Sequence, residues 1–324
     1  MATRYRSRRV CLLGGTGFVG RSLIPLLIQN GYAVDIPTRS RDRNRELLVF
    51  PGVDLIQIDV RDEIALTRVL HGCEAAINLI GILNETGHDG AGFKRVHLEL
   101  AQKLVRACRT SGVKRLLQMS ALKADAQRGP SHYLKTKGQA ENAIKELSGT
   151  DIKYTIFRPS VIFGEEDSFT NRFAALLRML PMLPLPHAEA RFAPVFVEDV
   201  ARAFVTALQD SNTHGQTYEL CGPDIYSLRE IVDLVRWQLG RTCIIVPLPR
   251  ALGRLQAWLG DYLLPGKPFS LDNFRSLGVA SICADNGLLF LGIKPHSLAS
   301  IVPTYLAGAS PQGRLSRLRQ SARR

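Results

Sequence analysis

Short apolar runs alternate with stretches of helical periodicity through the first half of this 324-residue chain. RRVCLLG (8–14) predicts a buried strand, and GFVGRSLIPLLIQNG (17–31) predicts a helix closed by Gly31. YAVDIPTR, VDLIQIDV and CEAAINLIG (73–81) read as further strands, with RDEIALTRVLHG a helix before the last of them. GFKRVHLELAQKLVRACRTSG (92–112) predicts a long helix ending at Gly112. VKRLLQMSA then reads as a strand, HYLKTKGQAENAIKELSG as a helix and IKYTIFRPS as a strand. Strands and helices alternating at this spacing pair in parallel through right-handed crossovers, which gives a doubly wound α/β sheet.

The pattern changes after Gly164. MLPMLPLPHAEA (179–190) contains three prolines and predicts an irregular loop. RFAPVFVEDVARAFVTAL returns to strand then helix, and SLREIVDLVRWQLG opens with a capping box, Ser227 and Glu230. The expected organisation is a dinucleotide-binding Rossmann domain at 8–163 plus about 191–212, and a smaller mixed substrate or lid domain at 164–190 plus about 213–309. That second domain would lie over the carboxyl ends of the strands, where open α/β sheets bind ligands. Basic tails (1–7 and 310–324) flank both. In LPRALGRLQAWLGDYLLPG (248–266), Leu252, Leu255, Trp258, Leu259 and Tyr262 recur at helical spacing. An ordinary core face is the expected account, with a membrane or partner surface as the alternative.

Candidate chemistry enters with LLGGTGFVG, between the first strand and first helix. Gly14, Gly15, Gly17 and Gly20 satisfy the glycine spacing of a dinucleotide loop, which needs a tight turn, close backbone approach to pyrophosphate and close helix–strand packing. With Thr16, Phe18 and Val19 they would bring phosphate to a helix N-terminus, whose free N–H groups and dipole favour anions. At the end of the second strand, where an acidic residue would select the ribose hydroxyl of NAD, Thr38 is followed by Arg39, Arg41 and Arg43, and Asp35 falls too early. A guanidinium suits a 2′-phosphate, so NADP(H) is the preferred cofactor and NAD(H) the second choice. A basic loop that binds nothing is the competing account. Asp59, with Val60 beside it, is expected at the adenine edge. NLIG (78–81), with Leu79 and Gly81, is expected beside the cofactor.

Tyr133 and Lys137 stand at i and i+4 on one helix, so both project from one face. An ammonium beside a phenol is expected to lower its pKa from ~10 toward neutrality. The lysine can also bond the nicotinamide ribose, and Ser120, ending the preceding strand, is placed to polarise a substrate carbonyl. An amphipathic helix with a solvated lysine is the alternative. A lone His187 in the proline-rich stretch is expected to be solvated.

Charge and cysteine content narrow the partners. Of the net +13, nine charges come from Arg4, Arg6, Arg8 and Arg9 at one end and Arg314, Arg317, Arg319, Arg323 and Arg324 at the other, with no acid in either segment. Solvated arms are the simpler reading, and attraction to an acidic partner or anionic lipid the sharper one. No basic face interleaved with aromatics points to nucleic acid. The six cysteines form no C-x-x-C pair and have no histidine at metal spacing, which argues against zinc and against a disulfide framework and suits a reducing compartment. No apolar run reaches the ~20 residues of a membrane span, and no secretory leader is recognisable. A cytoplasmic protein is expected, peripheral on the inner membrane if the arms bind it.

The glycine loop, NLIG, GVKRLLQMSAL, YLKTK, RPSVIFG and VFVEDVARAF together resemble the short-chain dehydrogenase/reductase superfamily, in its extended or atypical branch. More narrowly, SHYLKTKGQAE and RPSVIFGEEDSFTNRFA are similar to the nucleotide-binding accessory subunits of respiratory complex I and their bacterial relatives. The resemblance implies a Rossmann domain holding NADP(H), with Gly14, Gly17, Gly20, Arg39, Asp59, Tyr133 and Lys137 carried over, and Pro159, Ser160 and Val161 passing the nicotinamide. It also implies complex I subunits as partners and a role in assembly or stability. A live reductase, dehydrogenase or epimerase using Ser120, Tyr133 and Lys137 on a hydrophobic, quinone-like or nucleotide-linked molecule is the alternative. Where members with an active proton relay carry Asn, this chain has His97.

Overall fold

The computed structural model describes residues 8–264 and 269–306. Six strands come from the first half: β1 (Arg8–Leu13), β2 (Tyr32–Thr38), β3 (Val53–Gln57), β4 (Ala75–Asn78), β5 (Arg115–Met119) and β6 (Lys153–Pro159). With a seventh strand, Thr217–Leu220, they form one parallel sheet in the order seventh, β6, β5, β4, β1, β2, β3. Strand β1 lies inside and is covered on both faces, so Val10, Cys11, Leu12 and Leu13 are all fully buried. Its alternation splits the core in two. Val10 and Leu12 join the layer with helices Phe18–Gln29 and Val197–Gln209, whereas Cys11 and Leu13 join the layer with Glu63–Leu70, Leu100–Ser111 and His132–Ser148.

A third core belongs to the second region. Phe163, Leu177, Leu183, Leu185, Ile231, Val232, Val235 and Val302 pack together, with the capping box of Ser227 and Glu230 opening helix Leu228–Gln238 as expected. The proline-rich stretch is not wholly irregular. Met182–Pro186 is a strand paired in parallel with Ile244–Leu248. A two-stranded ribbon leaves one side of each strand without a partner, so a proline nitrogen facing that side forfeits no ladder bond.

Other expectations are corrected. The sheet does not end near residue 212, because Thr217–Leu220 extends it alongside β6. Cys221 and Cys283 form a disulfide across 62 residues, a single link that the expectation against a disulfide framework did not include. Sequence spacing could not show this pair, since the fold alone brings it together. Leu252, Leu255, Trp258, Leu259 and Tyr262 are all exposed rather than core. Arg8 and Arg9 are not arm residues; they pair with Glu74 and with buried Asp35. The remaining basic residues of both arms lie outside the described residues.

A link closing a loop this long stabilises by constraining the unfolded chain, by about 2–4 kcal/mol. Denaturation of the wild type with and without dithiothreitol is expected to differ by that amount. In Cys221→Ser/Cys283→Ser the difference is expected to vanish.

Candidate functional site

The glycine loop sits where β1 hands over to helix Phe18–Gln29. Gly14 has φ +80° and a side chain there would press on the Leu79 and Ile80 backbone at 3.2 Å, so the turn requires glycine. A Cβ on Gly20 would fall 2.5 Å from the Gly15 backbone, which fixes how closely the helix packs on the loop. Gly17 is the N-cap and has no side-chain cap, and the first turn contains no acid. Its unpaired N–H groups and dipole suit a phosphate. Arg21 braces the loop from the helix, bonding the Thr16 carbonyl and Glu46. Phe18 and Val19 begin the helix, Val19 packing on the core.

Thr38 closes β2 and Arg39 is exposed beside it. Asp35 is buried in an ion pair with Arg9, so it is withdrawn from any ribose. Arg61 clamps the Asp59 carboxylate with both Nε and Nη2, holding its pKa down at about 2. Asp59 and Val60 stay partly exposed at the edge of the sheet.

The Tyr133 helix, His132–Ser148, starts at the Ser131 N-cap, whose hydroxyl accepts from the Leu134 N–H. A second cap arrives from 140 residues away: the Asp272 carboxylate accepts from the His132 N–H at 2.7 Å and the Tyr133 N–H at 3.1 Å. Nothing local in the sequence signalled Asp272. Lys137 is buried, and its Nζ donates to the Met119 carbonyl at 3.1 Å. Burial lowers its pKa to about 8, against the opposing pull of Glu141. Gly81 lets the chain pass this ammonium, since a Cβ there would lie 3.0 Å from Nζ.

Three expectations about the chemistry change. The Tyr133 phenol is not lowered by its lysine; burial pushes it up to about 12. The Lys137 ammonium is directed to a carbonyl, and an unsolvated phenolate is disfavoured. The Ser120 hydroxyl is engaged inside the protein, donating to Glu141 Oε1 at 2.5 Å. Glu141 is buried and also takes two bonds from Arg158. It stands at i+4 from Lys137, a spacing that could have marked it. Pro159 ends β6, while Ser160 bonds Ser281 and Val161 packs on the third core, so this segment is tied to the second region.

His97 lies in a π-helical turn, Arg95–Glu99, inside the long helix predicted for 92–112. Its Nε2 accepts from the Ile82 N–H at 3.2 Å, so Nδ1 carries the proton and donates to Thr136 Oγ1 at 2.9 Å. Thr136 in turn donates to the His132 carbonyl. Burial, with Lys137 nearby, lowers the imidazole pKa to about 2, so His97 stays neutral and both nitrogens are occupied. His187 is not solvated either: its ring packs on Phe274, and Nε2 is buried without a partner.

The glycine cradle, the uncapped helix start and the Lys137 ammonium beside Gly81 fit a nicotinamide dinucleotide. Residues 10–221 match the NAD dependent epimerase/dehydratase family. The chain belongs to that family. It is similar to the mitochondrial NADH dehydrogenase [ubiquinone] 1 alpha subcomplex subunit 9 of Arabidopsis thaliana, at 31% identity over 89% of this chain and 74% of that one. The Mus musculus subunit of the same name is 29% identical over 89% and 76%. A Caulobacter vibrioides ceramide reductase is 31% identical over 63% of this chain and 62% of its own length. Among solved structures, Pal from Bacillus thuringiensis superposes with a TM-score of 0.74 at 16% identity, covering 92% of this chain and 97% of that one. The NADPH-dependent quinone oxidoreductase QOR2 of Escherichia coli gives 0.71 at 19% identity, covering 90% and 97%. These likenesses are of fold. When bound, the dinucleotide supplies hydride chemistry. Of the chain's own residues, Gly14–Gly20 would cradle its phosphates and Lys137 would present its ammonium to it.

Lys137 has a folded pKa of about 8 and an unfolded value of 10.5. Between those values the unfolded chain binds more protons, so stability is expected to rise with pH, by on the order of 3 kcal/mol across the window. Subtracting the urea stability of Lys137→Met, measured from pH 7 to 10.5, is expected to expose this rise.

Proposed function

We propose that this chain is an NADP(H)-binding protein in which Tyr133 and Lys137 hold the nucleotide rather than turn it over, and that it acts in the assembly or stability of a respiratory complex. The observation that carries the reading is that the groups around the pair are already committed. Ser120 bonds Glu141, His97 is locked neutral between Ile82 and Thr136, and the Tyr133 phenol is raised. A proton relay needs a group free to exchange near neutral pH. The similarity to subunit 9 proteins supports the partner class, namely subunits of complex I. The place of action is the cytoplasmic face of an inner membrane, reached peripherally; among the described residues no helix is long and apolar enough to cross one. Exposed Arg39 supports the 2′-phosphate preference.

A second reading, a live NADPH-dependent reductase on a hydrophobic molecule, is favoured by one specific observation. Tyr133 is only half-buried, which leaves part of its side chain open to a small molecule. The ceramide reductase relative supports it.

Calorimetry is expected to show NADPH binding about tenfold tighter than NADH, a difference of about 1.4 kcal/mol that Arg39→Ala removes. Equal affinities in the wild type would sink the arginine argument. Bound NADPH is expected to stay unoxidised through hours of incubation with quinones and aldehydes, and Tyr133→Phe to weaken its affinity by about fivefold, the loss of one hydrogen bond of about 1 kcal/mol. Steady NADPH oxidation lost in Tyr133→Phe would instead establish the reductase. Failure to cofractionate with any respiratory complex in the native cell would remove the assembly role.

A further inference from the structure

Helix Arg250–Tyr262 is turned opposite to the usual sense. Its inward face carries Gly253, Ala257, Gly260 and Asp261, while Leu252, Leu255, Trp258, Leu259 and Tyr262 point outward. Leu252 is 52% exposed, Trp258 44% and Tyr262 51%, and the apolar surface continues into Leu263 and Leu264. The packing enforces this orientation. A Cβ on Gly253 would meet Pro186 at 2.8 Å, and one on Gly260 would meet the Phe269 carbonyl at 2.5 Å. Rotating the helix to bury its large side chains would drive them into those contacts. Asp261 accepts from the Leu271 N–H on the inner side, which pins the end of the helix in the same sense.

The helix itself carries two cations, Arg250 and Arg254, and one acid, Asp261, which is buried. Arg250 and Arg254 are exposed on the helix itself. An apolar stripe bordered by arginines, with Trp258 and Tyr262 rings stacked at 5.5 Å, combines the three features of an interfacial helix: buried-chain area, aromatic anchors and attraction to anionic headgroups.

We infer that helix Arg250–Tyr262 is a membrane-docking element that lies in the headgroup region of an anionic bilayer, with Leu252, Leu255 and Leu259 in the acyl boundary and Tyr262, stacked on His88, at its edge. The occupant is lipid rather than an acidic protein groove because the apolar residues form the centre of the face and the cations only its border. The inference is independent of what the dinucleotide site does, and it does not use the basic arms.

The full chain carrying Trp237→Phe leaves Trp258 as its only tryptophan. Trp258 emission is expected to shift to the blue with vesicles of phosphatidylcholine containing roughly one-third phosphatidylglycerol, an anionic surface of the kind that attracts basic residues. Brominated acyl chains in those vesicles are expected to quench it. Co-sedimentation is expected to fall about tenfold in Leu255→Gln/Leu259→Gln, with circular dichroism unchanged, and Arg250→Gln/Arg254→Gln is expected to lose the preference for phosphatidylglycerol over pure phosphatidylcholine. An unshifted, unquenched Trp258 overturns the proposal. So does undiminished sedimentation of the leucine variant, which assigns binding to the arms. So does a wild-type dimer that ignores vesicles and becomes a monomer in the leucine variant, which assigns the face to a second copy of the chain.

Discussion

One buried carboxylate organises the centre of the site. Glu141 accepts two bonds from Arg158 and one from Ser120, and it moderates the loss of basicity at Lys137. Removing Arg158 would leave the Glu141 charge buried and uncompensated, which is far costlier than losing an exposed pair. The helix face that presents Lys137 is therefore locked to β5 and β6 through a single side chain. The same lock consumes the Ser120 hydroxyl. Rigidity of the lysine and availability of the serine compete for one carboxylate, and here rigidity prevails.

A similar exchange runs along the opposite side of the pocket. The π turn at Arg95–Glu99 shifts His97 inward, where Ile82 and Thr136 take both its nitrogens. A π turn inside a helix often marks a functional position. Its effect here is to fix the backbone at Ile82, next to Gly81 and the lysine. Both flanks of the pair are thus arranged for positional order.

Much of this was legible in the residues, because it depends on local periodicity. The parallel sheet, the glycine turn, the Tyr133 helix and the capping box at Ser227 follow from spacing within a few turns of chain. What escaped depends on pairs far apart. Asp272 caps the Tyr133 helix across some 140 residues, and Cys221 meets Cys283 only because the seventh strand brings them together. Proline count misjudged Met182–Pro186, since proline excludes a strand only where both sides must donate. The helix at 250–262 defeated the usual rule that large apolar residues face inward, because its glycines had already claimed the inner side.

The seventh strand carries one more consequence. The chain leaves the sheet after β6, builds part of the third core, and returns at Thr217 to complete the sheet edge against β6. Arg115 of β5 reaches to that same return, bonding the Ala207 carbonyl and Thr213 Oγ1. A nascent polypeptide therefore cannot complete the sheet until Thr217–Leu220 has been synthesised. The two regions are interleaved by connectivity, and no single cut of the chain yields the complete sheet without the third-core segment between β6 and Thr217.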